Sequence, residues 1–429
     1  MGALRLGRRR AEDRTGAGRG GPRGRVRAIV ALGLGVLLAG TGVAPAAAGT
    51  AAPRLEPREL QRTLDEVPAG GVAGAYTAVL AGREHWRGAA GLADLERRRP
   101  MRADMYHRIG SVTKTFVATA VLQQVDLGRI RLDDPVERYL PGLLRDRRIT
   151  VRMLLNHTGH LGDYDEAIFT GPERIEQVRF RRFTPHELVR LGLEVGPSGT
   201  PGELPGVYPN TNYIVLGLLL AKVTGMPAER YVTEHVIRRA GLTRTFFPHT
   251  PYLPQPHAKA YTSAMGAFPL RDFSTYDMSW AGTAGALVST MDDLNRFFAA
   301  LGGGRLISRA RPAEMRTTVP VLPDPGLEDL PLDYGLGLVR FAVPCGPVWG
   351  HDGGVIGMLT VAAGAEDGSR FAASGINTMW HPEAAAGEEA WLRHLAGAIC
   401  GTAQAEGDAP AARSAVRIPL RSQTAPWLR

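Results

Sequence analysis

Sheet signals stand near the two ends of this 429-residue chain with a long helical stretch between them, and that arrangement leaves few architectures open. From Gly71 to Ala93, "GVAGAYTAVLAGREHWRGAAGLA" alternates small and apolar residues around turn glycines, the pattern of a hairpin. Strand-like runs return only late, at Val339–Val343, Val348–Gly350, Met358–Ala363 and Arg370–Ile376, followed by a closing helix over Ala384–Cys400. Between about Asp133 and Asp272 helical periods broken by proline and glycine dominate, among them Ile214–Val223 and Ala228–Arg239. The expectation is one α/β domain, built from 55–115 and 277–403, interrupted by a helical insertion at 116–276. The alanine- and proline-rich tail, 404–429, is expected to be mobile.

The formal net charge of +9 suggests a nucleic-acid partner until the charge is located. Residues 1–27 hold nine arginines against Glu12 and Asp13, a net of 9 − 2 = +7, which leaves 9 − 7 = +2 for the rest. The basic balance belongs to the N-terminus, and no nucleic-acid partner is expected. After it, "AIVALGLGVLLAGTGV" (Ala28–Val43) is uncharged but short for a membrane span, and Ala46–Ala48 follow as small residues. Residues 1–48 therefore read as a secretory signal peptide, which implies a secreted, extracytoplasmic protein. The alternative, an uncleaved anchor, fits less well because glycines break the run and no stop-transfer flank follows. The two cysteines, Cys345 and Cys400, are expected to form a disulfide in an exported chain, closing a loop of about 55 residues and adding about 4 kcal/mol; two buried thiols are the alternative.

Chemistry enters at "RIGSVTKTFVATAVLQQ" (Arg108–Gln124), where Lys114 follows Ser111 by three residues at the head of an apolar helix. Only Lys114, Lys222 and Lys259 are lysines among 51 basic residues, so a lysine here has a task arginine cannot do. That task is to lose a proton: an amine can be desolvated into its neutral, basic form, whereas guanidinium stays charged. The i, i+3 spacing puts both side chains on one face, so the amine can reach and activate the hydroxyl. The alternative for this pair is a capping serine and a surface lysine.

Two later segments weigh against that alternative. "PGVYPNTNYIVLGLLLAKVTG" (Pro205–Gly225) places Tyr208 and Asn210 in a loop before an apolar helix, where a phenol can relay a proton and an amide can hold both lysine and substrate. "VWGHDGGVIGM" (Val348–Met358) offers His351 beside Gly353 and Gly354, whose bare backbone would admit an extended substrate along a strand edge, unless this is only a hairpin turn.

In order and spacing, Ser111-Val112-Thr113-Lys114, Tyr208-Pro209-Asn210 and His351-Asp352-Gly353 resemble the three motifs of the serine β-lactamase and penicillin-recognising hydrolase family. The likeness is closest to its secreted D-alanyl-D-alanine carboxypeptidases and class C-like members. "LLNHTGHL" from Leu154, "SWAGTAGALVSTMDDLNRFFAAL" from Ser279 and "YGLGL" from Tyr334 extend it over most of 55–400. The resemblance implies an antiparallel sheet flanked by helices with an all-helical second domain, no cofactor, and an acyl-enzyme on Ser111. It also implies Lys114 as base, Tyr208 as relay to the leaving group, Asn210 and His351 as substrate contacts, and the amides of Ser111 and Gly354 as oxyanion hole. Trp280 would line the cleft, and Arg340, ahead of the third motif, would hold a substrate carboxylate.

The function so implied is a D-alanyl-D-alanine carboxypeptidase acting on acyl-D-Ala-D-Ala peptides of peptidoglycan, reactive toward β-lactams and expected to be monomeric. The alternatives are an esterase, D-amino-acid amidase or β-lactamase on the same serine, or a penicillin-binding sensor without turnover. Histidine at 351, where many β-lactamases have lysine, lowers the expectation of fast antibiotic hydrolysis. Pro209 and His160 also depart from the family pattern, which puts substrate fit at those loops in question. No serine sits in Gly-x-Ser-x-Gly. His157 and His160 lack a His-Glu-x-x-His context, so no metal is expected.

Overall fold

A computed structural model describes residues 54–323 and 331–401; the expected leader, 1–48, and tail, 404–429, lie outside them. The N-terminal hairpin forms where expected, as β1 (Gly74–Ala81) and β2 (Glu84–Asp94), with Gly82 at φ 58° making the tight turn. Further strands are β3 (Arg99–Pro100), β4 (Gly206–Val207), β5 (Val319–Leu322), β6 (Leu332–Tyr334), β7 (Val339–Val343), β8 (Gly346–Val355), β9 (Met358–Ala365) and β10 (Arg370–Ile376). They build one ten-stranded sheet in the order β3-β2-β1-β10-β9-β8-β7-β6-β5-β4, antiparallel throughout except for the β4–β5 pair. The early hairpin enters beside the last strand, with β1 pairing β10 from Ala75↔Ile376 to Ala81↔Arg370. Sheet at both ends of the chain is therefore one sheet.

Helices cover both faces. Ser374 accepts a hydrogen bond from the indole of Trp391 in α6 (Ala385–Cys400), while a Cβ on its neighbour Gly375 would point at Met291, the first residue of α5 (Met291–Gly302). Consecutive strand residues face opposite ways, so α6 and α5 lie on opposite sides. Alongside α6 runs α1 (Pro57–Ala69), started by a proline in its first turn and buried through Leu60, Leu64 and Val67. With both faces covered, β1 is buried along nearly its whole length rather than alternating.

The remaining helices carry the candidate site. α2 (Thr113–Asp126) is buried on every side from Thr113 to Gln124, as its apolar run requires. α3 (Pro185–Val195) starts where Thr184 Oγ1 accepts from the Glu187 amide at 3.2 Å, and α4 (Thr211–Thr224) ends at Gly225 in the left-handed conformation, φ 73°. Two expectations need correction. The strand expected at 348–350 runs on to Val355, so His351–Gly354 is strand and not a hairpin turn. The helix expected over Ala228–Arg239 is α-helical only to Val232 and continues as a π-helical turn, Thr233–Ile237. Cys345 and Cys400 form the disulfide, tying the β7–β8 turn to the end of α6. Among the described residues no helix is long and apolar enough to cross a membrane.

Candidate active site

Ser111 sits in a short turn, Gly110–Val112, that opens α2, and the end of β8 lies directly on that turn. Gly110 takes φ 54°, and a Cβ on it would fall 2.6 Å from the Gly354 nitrogen. Gly353 is held more tightly still: a Cβ there would lie 2.1 Å from the Ile109 carbonyl oxygen and 2.8 Å from the Ser111 nitrogen. The sequence reading gave Gly353 to an approaching substrate. The structure gives it to the protein's own serine turn, and only Gly354 reaches the cleft. Gly353→Ala is therefore expected to push Ser111 off its partners, costing about 1–3 kcal/mol in stability and slowing acylation of Ser111 disproportionately. Mass spectrometry of a β-lactam adduct reads the rate, and a wild-type rate would count against the close approach.

One turn into α2, Lys114 is fully buried beneath the serine. Its Nζ lies 2.9 Å from Ser111 Oγ, 2.7 Å from Asn210 Oδ1 and 2.8 Å from the Ala284 carbonyl oxygen. Two of these three partners can only accept: the carbonyl by nature, and Asn210 Oδ1 because its Nδ2 donates to Asp165 Oδ2 at 2.7 Å. Of these three, Ser111 is the one with a proton to give. A neutral amine here satisfies both acceptors with its own two hydrogens and turns its lone pair to the serine hydroxyl.

Asn210 stands at the start of α4, yet its side chain makes no cap; it joins Lys114 to Asp165, and its own amide donates to Asp163 Oδ1 at 3.1 Å. Tyr208 leans over the amine, with Nζ 4.9 Å from the ring centroid, and stacks on His157 at 4.0 Å. The Tyr334 ring meets Tyr208 edge-on at 5.6 Å.

His351 is buried behind this group instead of lining the cleft. Its Nδ1 lies 2.5 Å from the Asp352 carbonyl oxygen, which can only accept, so Nδ1 carries the proton and Nε2, 2.9 Å from the Tyr334 hydroxyl, accepts in the neutral ring. By strand alternation its neighbour Asp352 faces the cleft. Trp280 stands in the cleft lining, edge-on to Phe169 at 5.0 Å.

Arg340 does not belong to the site. It lies on β7, opposite Asp333 and Trp349, half-exposed in a 3.0 Å ion pair with Asp333. The parity of β7 and the register of the sheet carry it away from Ser111, and those are properties a sequence does not print. His160, at φ 53°, takes the left-handed backbone that favours glycine and packs toward Ser198 and the Glu203 carbonyl, away from the cleft. Among the described residues no group of His, Cys, Asp or Glu is placed to hold a metal.

The sequence reading missed Asp165, Asp352, Phe169, Met379 and Trp380, which also line the cleft. A signal for Asp165 was present in "GDYDEA", three acids within four residues just after "LLNHTGHL". Asp165 and Asp352 are the charged side chains in the lining among the described residues; no arginine or lysine joins them.

A family model described as Beta-lactamase matches residues 60–386. The chain belongs to the Beta-lactamase family. Being a Beta-lactamase-family chain, it is a serine-type hydrolase with the mixed α/β fold of that group. A D-stereospecific amidohydrolase from Streptomyces sp. is similar at 37% identity and TM-score 0.70, over 78% of this chain and 98% of that one. The D-amino acid amidase of Ochrobactrum anthropi SV3 is similar at 25% identity and TM-score 0.69, over 79% and 97%. The putative penicillin-binding protein PbpX of Bacillus subtilis (strain 168) is 30% identical over 49% of each chain, and the esterase EstB of Burkholderia gladioli 35% identical over 37% of this chain and 42% of its own. The aligned part spans about half the length of these last two relatives or less.

Proposed function

We propose that this chain hydrolyses amides and esters whose acyl group carries a free amine beside an apolar side chain, a D-amino-acid amidohydrolase acting through an acyl-enzyme on Ser111. The observation that carries the reading is the charge of the cleft: two carboxylates, Asp165 and Asp352, and no cation among the described lining residues. A carboxypeptidase has to hold a substrate carboxylate, which this lining would repel, whereas an α-ammonium is matched by it. The D-stereospecific amidohydrolase, covered almost end to end, supports the same reading. The leader supports export.

In this reading Ser111 Oγ attacks the carbonyl carbon while its proton passes to Lys114 Nζ, 2.9 Å away. The oxyanion is met by the Ser111 and Gly354 amides, held together by the glycine contacts at 110 and 353. The bond to the leaving nitrogen or oxygen breaks as that atom takes a proton by way of the Tyr208 hydroxyl. Water then hydrolyses the acyl ester by the same steps in reverse.

The test compares D-phenylalanine amide, N-acetyl-D-phenylalanine amide and an acyl-D-Ala-D-Ala peptide on wild type, Ser111→Ala and Asp165→Asn. Wild type should prefer the free amine by about 10- to 100-fold, as one to two well-placed charge contacts allow, Asp165→Asn should lose most of that preference, and Ser111→Ala should turn over nothing. Preference for the acylated D-Ala-D-Ala peptide would restore the carboxypeptidase reading.

A further inference from the structure

We infer that Trp380 selects the acyl side chain of the substrate, and that the turn at Ser263–Gly266 positions it. Trp380 lines the cleft, yet its backbone is left-handed at φ 54°, a conformation that bulky residues rarely adopt and that tends to be kept where a site requires it. A second turn holds it there. The Trp380 carbonyl oxygen accepts from the Met265 amide at 2.7 Å and from the Ser263 hydroxyl at 3.2 Å. Having given its one proton to Trp380, the Ser263 oxygen is left to accept from the Gly266 amide at 3.1 Å and from His381 Nδ1 at 2.9 Å. The turn is itself left-handed at Ala264, φ 48°, and Met265, φ 62°. Two unusual stretches, more than a hundred residues apart, thus fix one indole at the cleft.

The sheet shows which part of a substrate that indole meets. Gly354 lies in the cleft one residue before the end of β8; Tyr208 packs on Tyr334 of β6, two strands to one side, while Met379 and Trp380 follow β10, two strands to the other. The two walls therefore flank the serine. This step rests on the proposed function, in which Tyr208 serves the leaving group; the opposite wall, with Val355, Ile356 and Met379 beside Trp380, then receives the acyl side chain. That wall is apolar and Trp380 is its largest side chain.

Esters with one leaving group and two acyl groups isolate the effect: p-nitrophenyl acetate and p-nitrophenyl 4-phenylbutyrate. Trp380→Gly, which suits the left-handed backbone, is expected to lower kcat/KM for the phenylbutyrate roughly 10- to 200-fold more than for the acetate, since the acetate has no group to reach the wall. Trp380→Phe should keep most of the phenylbutyrate rate. Ser263→Ala, outside the cleft, should raise KM for the phenylbutyrate with little change in kcat, and Ser263→Thr should restore it. Equal losses on both acyl groups, or a loss that instead follows the leaving group when phenyl acetate replaces p-nitrophenyl acetate, would overturn the inference alone. Failure of wild type to turn over D-phenylalanine amide and both esters in a Ser111-dependent way would overturn the proposed function and this inference with it.

Discussion

Lys114→Arg is expected to lower the rate of Ser111 acylation by about a thousandfold or more, within the range that removing a general base gives. The arginine can still donate toward Asn210 Oδ1 and the Ala284 carbonyl, the two partners that can only accept. What it cannot do is take the serine proton, because guanidinium stays protonated. Lys114→Met removes base and donor together at similar volume, leaves both acceptors buried without their donor, and should cost in addition about 1–3 kcal/mol of stability. Both variants are read by rapid-quench mass spectrometry of the Ser111 adduct, with circular dichroism as the check on folding. A Lys114→Arg rate within tenfold of wild type would show that the lysine acts as a charge and that another group takes the proton.

The same logic explains which residues were legible in the sequence. Ser111 and Lys114 are three apart on one helix, so their encounter is local and spacing alone reveals it. Tyr208, Asn210 and Gly354 are distant in sequence, and their resemblance to a known order of motifs found them. The large outline was legible because strand and helix periods differ: β7 and β10 fall on the expected Val339–Val343 and Arg370–Ile376. Side-chain direction was not. Arg340 and Asp352 both lie on strands near the third motif, and only the register of the sheet turns one to solvent and the other into the cleft. Asp165 stands in a five-residue helix, Tyr164–Ile168, and Trp380 in a loop, and neither is long or regular enough for a period to be read. The consequence reached the proposed function, which rests on two carboxylates in the cleft lining where the sequence reading had expected a carboxylate-binding arginine.

Acid should weaken this fold more steeply than its surface ion pairs require, because two histidines are buried in its core without a carboxylate partner. His394 on α6 bridges Thr63 Oγ1 at 2.8 Å and Thr77 Oγ1 at 3.0 Å, and Thr77 continues to Ser374 at 2.7 Å. His107, on the other face of the sheet, sits between the Tyr76 hydroxyl and the Leu359 carbonyl oxygen. Burial pulls both down to about 3, helped at His107 by the Arg108 charge. Above the unfolded value of 6.5 neither state holds the proton and stability is complete. As the pH falls below 6.5 the unfolded chain binds it first, so stability drops by about 1.4 kcal/mol per pH unit for each histidine until the folded form also protonates near 3. Between pH 7 and pH 5 the two together remove about 4 kcal/mol. His394→Gln, whose amide can still bond one threonine, should lower stability at pH 7 yet lose only about half as much on going to pH 5. Urea denaturation at the two pH values measures both quantities. An undiminished acid loss in His394→Gln would mean that His394 titrates alike in the folded and unfolded chain, and the buried threonine network would then have to be open to water.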